Sequence, residues 1–248
     1  MDVQLLFLIP LAFVMEIIDS SLGMMYGTLL APILVGYGLE PLAVVPGILI
    51  SQAIGGVAGT ISHHKFGNAN FFGLTRDVKV VLAMVLPGLL VIMLGVFGAV
   101  NLPKFWVKIY LGILVIVMSI LCLFPLKYSF AWWKHYLVGM LAAFNKALSG
   151  GGFGPVTSTG GIIGGLSAKA SIATTTFAEV WVCLAAFIAY LFFTRVDFPF
   201  AFCLSLGSLL GGFVGPYISS RINHKKLRIC IGVLGILSGI WLFWRLLG

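Results

Sequence analysis

The sequence predicts an all-α polytopic membrane protein made of two inverted repeats, each a broken or re-entrant helical hairpin followed by three transmembrane helices. Three observations support this fold class. The 248 residues are 60% hydrophobic and 9% charged, with a mean hydropathy of +1.13, a composition typical of polytopic membrane proteins. Eight long apolar runs follow one another, and two of them contain a glycine-containing polar break at equivalent places.

Six of the apolar runs have the length of an ordinary single span, about 20 residues. The first and fifth runs each have 33 residues, too many for one straight helix at ~1.5 Å per residue and rather few for two full crossings. We therefore expect both to be broken. The eight runs are Val3–Val35, Pro41–Ser62, Val78–Val100, Phe105–Leu126, Trp132–Gly164, Ala170–Phe193, Phe198–Ser219 and Ile229–Leu247.

The break in the fifth run, Asn145–Thr159, is the richer in glycine. It contains Gly150-Gly151-Gly152-Phe153-Gly154-Pro155, which does not propagate a helix cheaply and leaves backbone N–H groups without partners. In lipid, such a break is tolerated only where it is buried in protein or lines an aqueous cavity. The first run has a corresponding break at Asp19–Gly27.

The two breaks belong to an internal repeat. A shift of 127 positions without a gap superposes Gly23 on Gly150, Gly27 on Gly154, Gly38 on Gly165 and Gly88 on Gly215. The halves are then residues 1–127 and 128–248. Broken helices at matching places in two halves are the best sequence indication of a transporter's binding site.

The basic residues predict how the repeats lie in the membrane. If all eight runs cross, each side collects seven Lys and Arg residues; if the first and fifth runs turn back at their breaks, the count becomes ten against four. The positive-inside rule favours the second topology. The hairpins then enter from opposite sides with their tips meeting near the midplane, and both termini face outward.

Composition and motifs argue against several other functions. The net charge of +8 lies mostly between the apolar runs, as in membrane flanks, so we expect no nucleic-acid partner. The cysteines are scattered singly, without metal-ligand or redox spacing. All four histidines fall in polar loops or at segment ends, where they do not activate a serine nucleophile. The sequence predicts no enzyme, no metal site and no cofactor.

Charged and amide side chains follow the repeat. The same shift places Lys146 on Asp19 and Glu179 on Gln52. Charges at membrane depth usually face a cavity, a partner or a transported species. Lys146 either attracts an anion while Asp19 holds the tip or takes a proton, or forms an ion pair with Asp19 that locks the hairpins, or snorkels to an interface.

Glu179 has two interpretations as well. It either couples a proton to transport or is a buried carboxyl satisfied by a backbone N–H of a hairpin. With Asp19 and Gln52, it forms the group of coupling or gating candidates.

Hydroxyl groups and backbone amides surround both breaks. N–H groups at half-helix N-termini, reinforced by hydroxyl donors, suit an oxyanion such as a sulfonate, sulfite or carboxylate. In the alternative, small residues merely let helices pack closely. The predicted substrate-binding residues are Ser20, Ser21, Gly23, Gly27, Lys146, Ser149, Gly150, Gly151, Gly152, Gly154 and Thr157.

Paired motifs over nearly the whole chain carry a family resemblance. The motif residues are Asp19-Ser20, Gly23-Met24-Met25-Tyr26-Gly27-Thr28, Pro32, Ser51-Gln52, His63-His64 and Gly67-Asn68, then Gly150 to Pro155, Ala170, Thr174-Thr175 and Glu179. With these motifs the sequence resembles the TauE/SafE family of sulfite exporters. Met24-Met25 stand where the family has further glycines.

The resemblance implies export of a small anionic substrate, sulfite or an organosulfonate such as sulfoacetate, across the bacterial cytoplasmic (inner) membrane. The inside-negative potential favours anion export by ~2.3 kcal/mol per charge per 100 mV. We expect alternating access at a midplane site between the hairpin tips. The alternatives are an anion channel and a membrane scaffold with packing glycines. A homodimer is possible, because the Gly207–Gly211–Gly215 face packs either within one chain or between two.

Overall fold

A computed structural model describes residues 6–36, 39–123 and 129–247. The described residues form ten α-helices and no β-strand. The helices are α1 (Leu8–Leu22), α2 (Tyr26–Gly36), α3 (Pro41–Lys65), α4 (Arg76–Asn101), α5 (Lys104–Leu123), α6 (Trp132–Ser149), α7 (Phe153–Ile163), α8 (Ala168–Tyr190), α9 (Phe198–Arg221) and α10 (His224–Leu247).

Both long apolar runs are broken at the predicted glycines. Helix α1 ends at Gly23, whose left-handed φ of 76° turns its N–H back to the carbonyl of Asp19 at 2.6 Å. Helix α6 ends in the same way at Gly150, with a φ of 73° and an N–H bond of 2.8 Å to the carbonyl of Lys146. Each run therefore forms two helices, α1 and α2 in the first and α6 and α7 in the second, joined by a glycine C-cap.

The first break follows the same path as the second with fewer glycines. Met25 has a φ of 113°, and Gly152, its equivalent 127 residues later, has a φ of 75°. Positive φ values are uncommon for residues that carry a side chain. The Met24-Met25 departure from the family motif therefore leaves the backbone turn in place.

The helix bounds repeat along the chain. Helices α2 and α7 have the same length and begin 127 residues apart. Helices α3 and α8 also begin 127 residues apart. The starts of α4 and α9 are only 122 residues apart, because α8 is two residues shorter than α3 and the loop before α9 is three residues shorter than the loop before α4. The predicted match of Gly38, the predicted boundary at residues 127 and 128 and the chain ends at 1–5 and 248 lie outside the described residues.

This change of register corrects one predicted correspondence. A methyl group added to Gly215 would meet the carbonyl of Ile17 and atoms of Ser20 and Ser21. One added to Gly95 would meet the carbonyl of Phe144 and atoms of Ala147 and Leu148. These contact residues are the equivalents of the first three, 127 residues later. Gly95, rather than Gly88, is therefore the structural counterpart of Gly215.

The most extensive helix contacts join the two halves. Helix α1 packs against α9, and α6 packs against α4; α3 also packs against α9 and α8, α4 against α8, and α5 against α10. The Gly207–Gly211–Gly215 face lies against α1, where Gly207 meets Ile9 and Ala12. This small-residue face is therefore used within the chain.

Four helices of the described ranges are long and apolar enough to cross a membrane, namely α3 from Leu42 onward, α4, α8 and α9. Their outer faces carry large apolar side chains, including Leu90, Leu94, Ile188 and Phe202. Apolar surface of this extent is unusual for a protein in water and fits contact with lipid.

Candidate functional site

The two glycine breaks are in direct backbone contact. A methyl group added to Gly27 would overlap the carbonyl of Gly150, and one added to Gly154 would lie 2.5 Å from the carbonyl oxygen of Gly23. These two contacts are equivalent under the 127-residue shift. Because backbone atoms occupy the space of a side chain, only glycine permits this approach. The fold thus brings the predicted tips together.

Four of the glycine amides predicted to bind an anion, those of Gly23, Gly150, Gly151 and Gly152, have partners within the protein. The N–H of Gly152 donates to Oγ1 of Thr28, across the two breaks, at 3.1 Å. The N–H of Gly151 donates to Oγ of Ser149 at 3.2 Å. In this conformation the two breaks are therefore closed against each other by a hydrogen bond as well as by contact.

The hydroxyl groups near the breaks are also engaged. Those of Ser20, Ser21 and Thr157 each donate to a carbonyl oxygen one turn earlier in the same helix, at 2.6, 3.1 and 2.8 Å. Such bonds satisfy a hydroxyl locally without linking it to other elements. Their oxygen lone pairs, rather than their protons, face away from the helix backbone.

Four side chains, which we call the central quartet, join the halves in one buried chain of hydrogen bonds. Lys146 Nζ lies 2.9 Å from Glu179 Oε1 as an ion pair, and it also donates to Gln52 Oε1. Gln52 Nε2 donates to Asp19 Oδ2 at 3.2 Å. All four side chains are buried. The quartet contains the three predicted coupling candidates and the one predicted cationic ligand.

The contacts of the quartet differ from three of the alternatives left open by the sequence. Lys146 is 1% exposed, so it does not snorkel. Its ionic partner is Glu179, while Gln52 stands between Lys146 and Asp19. The direct Asp19–Lys146 ion pair is therefore not formed, and Glu179 is satisfied by an ammonium rather than by a backbone N–H.

Asp19 also holds the first break. Its Oδ1 accepts a hydrogen bond of 2.9 Å from the N–H of Tyr26, at the first residue of α2. A carboxylate at a helix N-terminus is favourable, because it accepts from otherwise unpaired amides and faces the positive end of the helix dipole. In the second half Lys146 takes this position, and the residue before α7 is Gly152, which has no side chain to cap the helix and whose N–H donates to the neutral hydroxyl of Thr28. The first half thus supplies its own anion, and the second does not.

Two buried amide or hydroxyl side chains beside the quartet were given no role by the sequence. Asn145, next to Lys146, has neither its Nδ2 nor its Oδ1 hydrogen-bonded, and Thr175, one turn before Glu179, has an unpaired Oγ1. Buried polar atoms without partners are rare and costly. Asn145 lies in the glycine-rich break and Thr175 in the Thr174-Thr175 motif, and these positions in the sequence could have indicated a role for both residues.

Two of the histidines are buried at the helix ends where the sequence places them, His63 in the last turn of α3 and His135 in the first turn of α6. His63 and His135 are fully buried, whereas His64 is exposed. His63 Nδ1 lies 3.0 Å from Nδ2 of Asn68, which also donates to the carbonyl of Pro216 at 2.9 Å. Helix α3 continues three residues past the predicted apolar run, and this extension carries His63 into the interior.

Among the residues that the structure describes, no group of three or more His, Cys, Asp or Glu side chains is arranged to hold a metal ion. The polar chemistry of the site therefore comes from the quartet, the backbone of the two breaks and the unpaired groups beside them.

Comparison with known proteins agrees with the membrane character of the chain. A family model described as "Sulfite exporter TauE/SafE" matches residues 8–242. The chain is 26% identical over 234 residues to a protein of Bacillus subtilis (strain 168) described as "Probable membrane transporter protein YtnM", an alignment that covers 88% of this chain and 75% of that protein. No solved structure gives a significant match.

Proposed function

Because the chain belongs to the sulfite exporter TauE/SafE family and is a multi-pass membrane transporter, we propose that it exports small sulfur-containing oxyanions across the bacterial inner membrane. Sulfite, sulfoacetate and related organosulfonates are the proposed substrates. The observation that carries the proposal is the inequality of the two breaks: a protein carboxylate caps the helix that follows the first, whereas the second has a cation and no carboxylate at the start of its helix.

In the first half, the Asp19 carboxylate occupies the N-terminus of α2. We propose that the transported anion occupies the equivalent place in the second half. That place lies at the N-terminus of α7, where first-turn N–H groups and the helix dipole favour negative charge. Lys146 supplies the cation, and the neighbouring Asn145 supplies amide donors that are unpaired in this conformation. The predicted substrate-binding residues around both breaks, including Ser149 and Thr157, belong to this proposed site.

Binding requires the quartet to rearrange. Lys146 is already neutralised by Glu179 and bonded to Gln52, so an oxyanion competes with Glu179 for the ammonium. The breaks also have to separate, since the Gly152 bond to Thr28 closes them. Asp19, Gln52 and Glu179 are therefore the proposed gating or coupling residues, and their exchange of partners accompanies alternating access.

Features of the fold support the proposed pair of inverted repeats. The tip contacts come in an equivalent pair, and α1–α9 is the counterpart of α4–α6. Together with the ten-to-four distribution of basic residues, this pattern supports hairpins entering from opposite sides, with both termini outside. The proposed units remain residues 1–127 and 128–248.

Flux measurements with purified protein in liposomes test the proposal. Wild-type protein is expected to move sulfite and sulfoacetate with saturable kinetics, and Lys146→Ala to lose most of this flux. Lys79→Ala is the matched control, because it removes the same charge from an exposed site on α4. Native flux in Lys146→Ala contradicts the proposed site, and single-channel conductance identifies a channel instead.

Ligand-induced stabilisation provides an independent test. A panel of sulfite, sulfoacetate, taurine, sulfate and acetate is added to the detergent-purified protein, and the melting temperature is recorded. A transporter that binds one of these anions is stabilised according to its occupancy. A scaffold protein is stabilised by none of them.

A further inference from the structure

A second buried polar group lies beside the central quartet, in the first half. Glu16 on α1 accepts a hydrogen bond of 2.8 Å from Oγ of Ser208 on α9. The hydroxyl of Tyr26 on α2 lies 2.9 Å from Oγ of Ser51 on α3 and also interacts with Ser208. We call Glu16, Tyr26, Ser51 and Ser208 the Glu16 cluster; all four are at most 1% exposed.

Among the residues that the structure describes, no Lys, Arg or His forms an ion pair with Glu16. The charged groups that act on it are Asp19, one turn later on α1, Glu179 on α8 and Lys146 on α6. Two of these three are acidic, and Lys146 is already paired with Glu179. An ionised carboxylate buried without a cation is strongly unfavourable unless several donors bond it. Asp19 accepts two N–H bonds, whereas Glu16 accepts one bond from a hydroxyl. In this conformation the Glu16 carboxyl therefore holds a proton.

The carboxyl fills a slot formed by two glycines. A methyl group added to Gly55 on α3 would lie 3.0 Å from Cδ of Glu16, and one added to Gly211 on α9 would lie 2.7 Å from its Cβ. Helices α1, α3 and α9 thus close around the side chain. Water reaches the carboxyl only when these helices move apart, so proton release depends on a change of conformation.

The repeat indicates that packing does not require this cluster. The counterparts of Glu16, Tyr26 and Ser51, 127 residues later, are Ala143, Phe153 and Ala178, and all three are buried in an apolar core. The same helix arrangement is therefore built in the second half from apolar side chains. Replacing buried polar groups by apolar ones is often neutral or stabilising, so the polar version points to a function.

We propose that the Glu16 cluster is a proton-binding site that gives up and regains its proton in each transport cycle, so that anion movement is accompanied by proton movement. The inference rests on the proposed function. The hydroxyls of Ser208, Tyr26 and Ser51 hold the carboxyl in place, and its proton passes to water when the helices around it move apart. Tyr26 links the cluster to the first break, since its N–H is bonded to Asp19, and opening of that break alters the surroundings of Glu16.

Proton movement is measured in liposomes that contain a trapped pH-sensitive dye, with the membrane potential clamped at zero. Sulfoacetate is the probe, because its charge is constant near neutral pH. Wild-type protein is expected to move protons when a sulfoacetate gradient is imposed. Glu16→Gln keeps the size of the side chain, and we expect it to move sulfoacetate with at least about tenfold less accompanying proton flux.

The control and conservative variants separate this role from folding. Ser205→Ala, one turn before Ser208, removes a hydroxyl that bonds only the carbonyl of Ala201 in its own helix, and it is expected to leave both fluxes unchanged. Tyr26→Phe and Ser51→Ala copy the second half and therefore preserve packing. They are expected to lower proton flux more than sulfoacetate flux.

Each outcome bears on one of the two proposals. Sulfoacetate movement without proton movement in the wild type, or undiminished proton flux in Glu16→Gln, overturns the proton site and leaves the proposed function intact. Absence of sulfoacetate movement contradicts that substrate instead. The proton site is then decided by thermal unfolding: the wild type is expected to lose stability relative to Glu16→Gln as the pH rises above ~4.3, and identical pH dependence of the two proteins overturns it.

Discussion

Asp19 and Lys146 occupy equivalent positions at the ends of the two glycine-broken helices, yet their side chains have opposite charges and, apart from the shared Gln52, different partners. The backbone carbonyl of each accepts the N–H of the glycine that ends its helix. The Asp19 carboxylate then caps α2, whereas the Lys146 ammonium pairs with Glu179. One duplicated position thus makes one break acidic and the other cationic.

The buried ion pair predicts a strongly non-additive pair of substitutions. Lys146→Met leaves the Glu179 carboxylate without a cation, and Glu179→Leu leaves the ammonium bonded only to Gln52, so each is expected to destabilise the protein by about 3–5 kcal/mol. The double variant is expected to be destabilised by less than the sum, because neither charge remains. Denaturant unfolding in detergent measures this, and simple additivity would contradict the pairing.

The contact between the breaks predicts that Gly27 tolerates no side chain. Gly27→Ala places a methyl group on the carbonyl of Gly150 and is expected to destabilise by about 1–3 kcal/mol or more, because two backbones have to separate. Gly98→Ala is the control: its methyl group meets only the side-chain ends of Leu148 and Leu102. Melting temperatures of the two variants are compared, and equal values would argue against a tight backbone contact.

The bridging role of Gln52 predicts a measurable loss on its removal. Gln52→Leu deprives both Lys146 and Asp19 of a buried hydrogen-bond partner, and the expected destabilisation is about 1–3 kcal/mol. Thr60→Ala on the same helix is the control, since its hydroxyl bonds only the carbonyl of Gly56. Chemical unfolding measures the free energy of unfolding of both variants. If Gln52→Leu lowers it no more than Thr60→Ala does, Gln52 does not bridge Lys146 and Asp19.

The proposed topology predicts the side from which two loops react. In a Cys230→Ala background, which removes the exposed cysteine of the described residues, Phe72→Cys is expected to react with a membrane-impermeant thiol reagent only from the cytoplasmic side. Leu102→Cys is expected to react only from the outside. Both positions are exposed, at 84% and 50%. Reaction of both from the same side would contradict a single crossing by α4.

The breaks could be predicted from the sequence because their causes are local. Glycine at a helix end and proline just after it act through their own backbone geometry, so Gly23 and Gly150 marked the ends of α1 and α6. The 127-residue offset likewise held wherever the loops of both halves have equal length. It failed beyond α3, where the connecting loops differ, and Gly88 was therefore matched with Gly215 in place of Gly95.

The partners inside the quartet could not be predicted in the same way. The repeat relates Asp19 to Lys146 by position, whereas their contacts depend on how α3 and α8 place Gln52 and Glu179 between them. Burial of His63 depended on α3 continuing past its apolar run. A polar helix end is buried only when other helices pack against it, and the hydropathy pattern carries no information about which helices do so.

The interlocking of the halves has a consequence for how such a chain arose. Helix α1 finds its main partner in α9, and α6 finds its own in α4, so a protein with one repeat would leave the glycine faces that hold Gly95 and Gly215 without the helix that covers them. Such an ancestor would be complete only as two interlocked copies. Because both halves lie in one chain, equivalent positions carry different residues, as Asp19 and Lys146 do.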